Sequence, residues 1–130
     1  MDELSFSDLE LRQIIWASIL DPQERNRKVR PAVVIEQAID DEGIPFCWVL
    51  GGTTQSVDNR RIAYTVELEG YSRGNGVGHP QTGLMEDTRF CAFWIQPVYK
   101  EHVKQSLRKC PENEYLQLIE MLRELEREKL

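Results

Sequence analysis

At 130 residues the chain is the size of one domain, and at 41% hydrophobic it can bury a core without disulfides or a structural metal. Its three cysteines, Cys47, Cys91 and Cys110, are odd in number, far apart and free of any CxxC pair, which argues against a disulfide framework or a zinc site and for a reducing compartment. The net charge of −6 argues against general nucleic-acid binding, but residues 1–10 carry four acids and no base, residues 111–130 sum to −3, and the hundred residues between them to +1.

The start, Met1-Asp2-Glu3, is acidic where a secretory signal is basic, and no apolar run is long enough to span a bilayer, so a cytoplasmic location is expected. Residues 1–10 are read as an N-terminal arm or short helix. Gln13 to Leu20 is rich in β-branched and aromatic residues and reads as a buried strand, ended by Asp21-Pro22. A polar stretch from Gln23 to Val29 reads as a loop or hairpin tip, and Pro31 opens the next strand. Asp40 to Gly43 reads as a turn, Phe46 to Leu50 as a third strand and Ile62 to Leu68 as a fourth. Residues 70–83 hold five glycines and a proline and read as a long connection. Phe90 to Ile95 reads as the last strong strand, with a short helix expected from Tyr99 to Leu107. Tyr115, Leu118, Ile119, Leu122 and Leu125 recur at helical spacing and predict a C-terminal helix over 111–128, with Pro111 in its first turn. The whole reads as a single mainly-β, α+β domain over 1–130.

Few residues suggest chemistry. His79 and His102 fit no metal-ligand spacing, no GxSxG elbow is present, and Gly74 to Gly78 lacks the strand-to-helix junction of a dinucleotide fold. Arg30 stands out at a loop-to-strand junction after Arg25, Arg27 and Lys28, because a guanidinium matches a phosphate with paired N–H donors. Gly51-Gly52-Thr53-Thr54-Gln55 places hydroxyls and an amide where glycines allow close approach, and Arg60-Arg61 follows.

Taken in order, these segments resemble the PemK/MazF family of toxin–antitoxin ribonucleases. The resemblance runs from IIWASILDP through RPAVVI (30–35) and Thr53 with Gln55 to Thr82-Gly83-Leu84-Met85-Glu86-Asp87-Thr88. It implies an SH3-like small β-barrel with a C-terminal helix, shared with the gyrase-directed CcdB-like toxins, and a symmetric homodimer. It implies a growth-inhibiting endoribonuclease (an mRNA interferase) that cuts single-stranded RNA by attack of the substrate's 2′-hydroxyl, with no metal or other cofactor. Arg30 and Thr53 would be catalytic, and Arg25, Arg27, Lys28, Thr54, Gln55, Arg60 and Arg61 would bind RNA. The partner implied is an antitoxin whose acidic, flexible segment competes with RNA for the same groove. The chain departs from the family pattern at Leu11-Arg12-Gln13, at Phe93-Trp94 and at Gln96-Pro97-Val98-Tyr99. These departures keep two rivals open, a catalytically inactive interaction module and a gyrase-directed toxin.

Overall fold

The structure is a computed structural model that describes residues 9–58, 60–70, 79 and 81–128. Residues 1–8 of the expected N-terminal arm and most of the glycine-rich connection lie outside the described residues.

Six antiparallel strands form one sheet, and one helix follows them. The strands are β1 (Gln13–Ile19), β2 (Lys28–Ile39), β3 (Pro45–Thr53), β4 (Thr65–Leu68), β5 (Thr88–Val98) and β6 (Val103–Lys109). Their order across the sheet is β4-β5-β3-β2-β1-β6. The helix α1 spans Glu112–Glu128. Among the described residues, no helix is long and apolar enough to cross a membrane.

Both faces of the sheet are buried, so successive residues of a strand enter different cores. Ile15, Ala17, Ala32, Val34, Val49 and Trp94 belong to one core. Ile14, Val33, Leu50, Phe90 and Ala92 belong to the other, where Tyr115 and Leu118 of α1 pack against them. The first core lies on the face that α1 does not cover, and the sheet's own curvature encloses it. β1 and β5 are separated by two strands in the hydrogen-bonding order, yet their Cα atoms approach within 8 Å. A flat sheet would hold them about 14 Å apart, at about 4.8 Å per strand. The hydrogen bonding does not close, and β4 and β6 remain edges.

The turn between β2 and β3 follows its composition: Asp40 Oδ1 accepts from the Glu42 and Ile44 N–H groups, and Gly43 takes the positive φ of 80°. The loop between β1 and β2 is organised in the same way. Asp21 Oδ1 accepts from the N–H groups of Gln23 (3.0 Å) and Arg25 (2.8 Å), and Oδ2 accepts from the Asn26 amide at 3.2 Å. These bonds, above all the one from Arg25, hold the Asp21 carboxyl below its ordinary range.

Three expectations need correction. β2 begins at Lys28, so Lys28, Arg30 and Pro31 are strand residues and only Arg25 and Arg27 stay on the loop. Pro31 is tolerated because it pairs with Trp16 of β1, while pairing with β3 starts one residue later, at Ala32. Residues 62–64 form a short 3-10 turn, which leaves β4 only four residues. The stretch expected as a helix from Tyr99 to Leu107 is instead a 3-10 turn at Lys100–His102 followed by β6. The cause is tertiary: β1 has an outer edge whose backbone groups need partners, and Val103 to Lys109 supplies them. Arg12 and Gln13 side chains add bonds to the Cys110 and Leu107 carbonyls.

Candidate functional site

The antiparallel register of β2 and β3 brings the two motifs together. Ala32 pairs with Gly51, and the same register carried two residues outward, past the last pair of the ladder, would bring Arg30 opposite Thr53. Both then extend the alternation of the first core to its open end. There a pocket of about 380 Å³ gathers Arg30, Thr53, Gln55 and Arg61 with Asp21, Asp58, Phe93 and Trp94.

Arg30 is held in place. Its Nη1 donates to the Ile19 carbonyl at 2.6 Å and to the Asn26 carbonyl at 3.0 Å, and its guanidinium carbon lies 5.5 Å from the Trp94 ring centre. Its Nε and Nη2 groups make no hydrogen bond to the described residues, which leaves one guanidinium edge to grip an oxyanion. The Thr53 Oγ1 accepts from the Gln55 N–H at 3.0 Å, leaving its hydroxyl proton to donate elsewhere.

The support beneath Arg30 explains the paired glycines. A Cβ on Gly51 would stand 2.7 Å from Trp94 Cε2, and one on Gly52 would stand 2.8 Å from the Phe90 ring. Only glycine lets the Trp94 indole lie on β3, where its Nε1 donates to the Leu20 carbonyl at 2.9 Å. Gly51→Ala is therefore expected to destabilise the fold by about 1–3 kcal/mol through overpacking. Urea unfolding followed by tryptophan fluorescence checks this, and an unchanged midpoint would mean that Trp94 does not rest on Gly51.

The remaining basic candidates are dispersed. Arg27 donates to the Ser18 carbonyl at 2.7 Å. Arg25, Lys28, Thr54 and Arg60 are exposed and outside the pocket. Each basic cluster thus sends one residue into the pocket, Arg30 from the first and Arg61 from the second. His79 is outside it as well, its Nδ1 accepting from the Gln81 N–H. Burial pushes the Cys91 thiol up to about 12 and the Cys47 thiol to about 11, so neither supplies a thiolate near neutral pH.

Sequence reasoning missed four members of this pocket. Asp21 reads as a strand terminator, Phe93 and Trp94 as residues of the last strand at a departure from the family pattern, and Asp58 carries no reading. The one legible hint was that Asp58 and Arg61 closely follow the Thr53 segment. A larger cavity of about 610 Å³ lies at the far end of β2 and β3, among Ile39, Ile44, Phe46 and Tyr99. It holds none of the motif residues, and the convergence of charged and hydroxyl groups selects the smaller one. Comparison with protein-family models and with curated proteins finds no match.

Proposed function

We propose that the chain is a metal-independent endoribonuclease of the PemK/MazF toxin kind, built on an SH3-like barrel and acting in the cytoplasm on single-stranded RNA. The observation that carries this reading is the Arg30 guanidinium, anchored at Nη1, backed by Trp94 and lining one pocket with Thr53. The close approach of β1 and β5 supports the barrel.

In this mechanism the substrate's 2′-hydroxyl attacks the adjacent phosphorus, and the 5′-oxygen leaves with a proton from water. A 2′,3′-cyclic phosphate remains. Arg30 stabilises the charge that develops on the phosphoryl oxygens, and Thr53 donates a hydrogen bond to one of them. Asp58 takes the 2′-hydroxyl proton. Among the titratable groups of the pocket it is the one suited to that role: Asp21 is committed to three hydrogen bonds, Cys91 holds its proton, and among the described residues Asp58 uses only Oδ1, for the Arg60 N–H at 2.8 Å.

A second reading has its own support. The bonds from Arg30 to Ile19 and Asn26 also brace the β1–β2 loop, as an interaction module without catalysis would need. Incubating purified chain with single-stranded RNA in EDTA separates the two. Fragments ending in 2′,3′-cyclic phosphate support the enzyme. Intact RNA supports the module, and inhibition of gyrase would move the assignment to a gyrase-directed toxin.

The partners proposed are an antitoxin with an acidic flexible segment and a second copy of this chain. The large aromatics Trp16, Trp48 and Phe93 are half-buried and Trp94 is buried. Among the described residues the most exposed large apolar side chains are Ile39 (69% exposed), Leu116 (56%) and Leu11 (50%). Sedimentation equilibrium at micromolar concentration is expected to give twice the chain mass, and the monomer mass would exclude the dimer.

A further inference from the structure

Phe93 and Trp94 are neighbours on β5, and neighbours in a regular strand point to opposite faces. Here both line the same pocket and both pack against the first core. The cause is a bulge: Leu50 pairs with Ile95 and Gly52 with Phe90, so two steps along β3 answer five along β5. Bulges of this kind re-aim side chains beside functional sites.

The two aromatics then differ in a way that assigns them different tasks. Trp94 is 4% exposed, its indole N–H is used, and Arg30 lies over it; it is a support. Phe93 is only half-buried, and the guanidinium carbon of exposed Arg61 sits 5.0 Å from its ring centre. A ring at the wall of a pocket that also holds two arginines matches the repeating chemistry of a single nucleic-acid strand, in which flat bases alternate with phosphates.

We propose that Phe93 is a stacking platform for one unpaired nucleobase of a bound single strand, with Arg61 as its cover before the strand binds. An exposed cation–π contact is weaker than a base–aromatic stack, so an entering base displaces Arg61, and the freed guanidinium meets the neighbouring phosphate. A polyanion without bases, such as an acidic peptide, gains the arginines but not the ring. The inference deepens the proposed function by naming the part of the strand this site takes, and it does not require cleavage.

The test uses a fluorescent 2′-O-methyl oligoribonucleotide, which lacks the attacking hydroxyl, and an abasic strand of equal length. Fluorescence anisotropy with the unmodified chain is expected to show roughly tenfold tighter binding of the base-bearing strand. Phe93→Leu, which keeps an apolar side chain but loses the π-face, is expected to remove that preference, and Phe93→Tyr to retain it. Equal affinity of the unmodified chain for both strands overturns the platform without recourse to any variant. So does a Phe93→Leu chain, folded by circular dichroism, that keeps the full preference. If the preference depends on Phe93 but natural RNA is never cut, the platform stands and the ribonuclease reading falls.

Discussion

Replacing Arg30 by alanine is expected to lower RNA cleavage by roughly a hundredfold or more, the scale of a lost donor to a developing oxyanion. The guanidinium edge left unused by Ile19 and Asn26 is the part of the pocket that can match a phosphoryl group with paired N–H donors. Alanine also removes two charge-assisted bonds to carbonyls, so a stability loss of about 1–2 kcal/mol is expected alongside. The assay is therefore run well below the variant's melting temperature, where the folded fraction stays near one. Arg30→Lys keeps the charge and loses the fork, and is expected to recover only a small part of the rate. Cleavage by Arg30→Ala at the rate of the unmodified chain would leave Arg30 as a brace for the β1–β2 loop and favour the interaction module.

Asp58→Asn is expected to reduce kcat by a comparable factor, roughly a hundredfold at least, since a positioned general base contributes about 10²–10⁴. Asparagine preserves the shape and can still accept the Arg60 N–H through its carbonyl oxygen, so the bonds from Arg60 and Arg61 to residue 58 are kept. KM is expected to change little, because the proton transfer belongs to the transition state. With the base gone, hydroxide must do its work, and the residual rate should climb with pH. A variant within a few-fold of the unmodified kcat would show that the proton goes elsewhere and would leave the roles of Arg30 and Thr53 standing.

The elements legible in the sequence were those with a strong local pattern. β1 was visible as a β-branched run ended by Asp-Pro, and α1 as a helical apolar stripe behind Pro111; both depend on periodicity and breakers, which are local properties. The turn at Asp40 to Gly43 was visible for the same reason, because an aspartate bonds its own following backbone and a glycine accepts a positive φ. β6 was not: Val103 to Lys109 is short and charged, and it is a strand because β1 offers it an unpaired edge.

The candidate site divides along the same line. Arg30, Thr53, Gln55 and Arg61 could be selected by residue type, since guanidinium and hydroxyl chemistry belongs to the side chain wherever it lies. Their convergence depends on the register of β2 against β3, which pairs Ala32 with Gly51 across a long separation in the chain. Which other charges share the pocket, and which face Phe93 takes, depend on more distant pairings still: Asp58 and Arg61 set against β5, and a bulge in β5 opposite the glycines of β3. The sequence by itself determined a mainly-β chain with a C-terminal helix and the residue types able to meet a phosphate. Tertiary structure alone decided that one arginine from each basic cluster shares a single pocket with two aspartates and two aromatics, because strand register and bulges are settled by packing between segments, not within them.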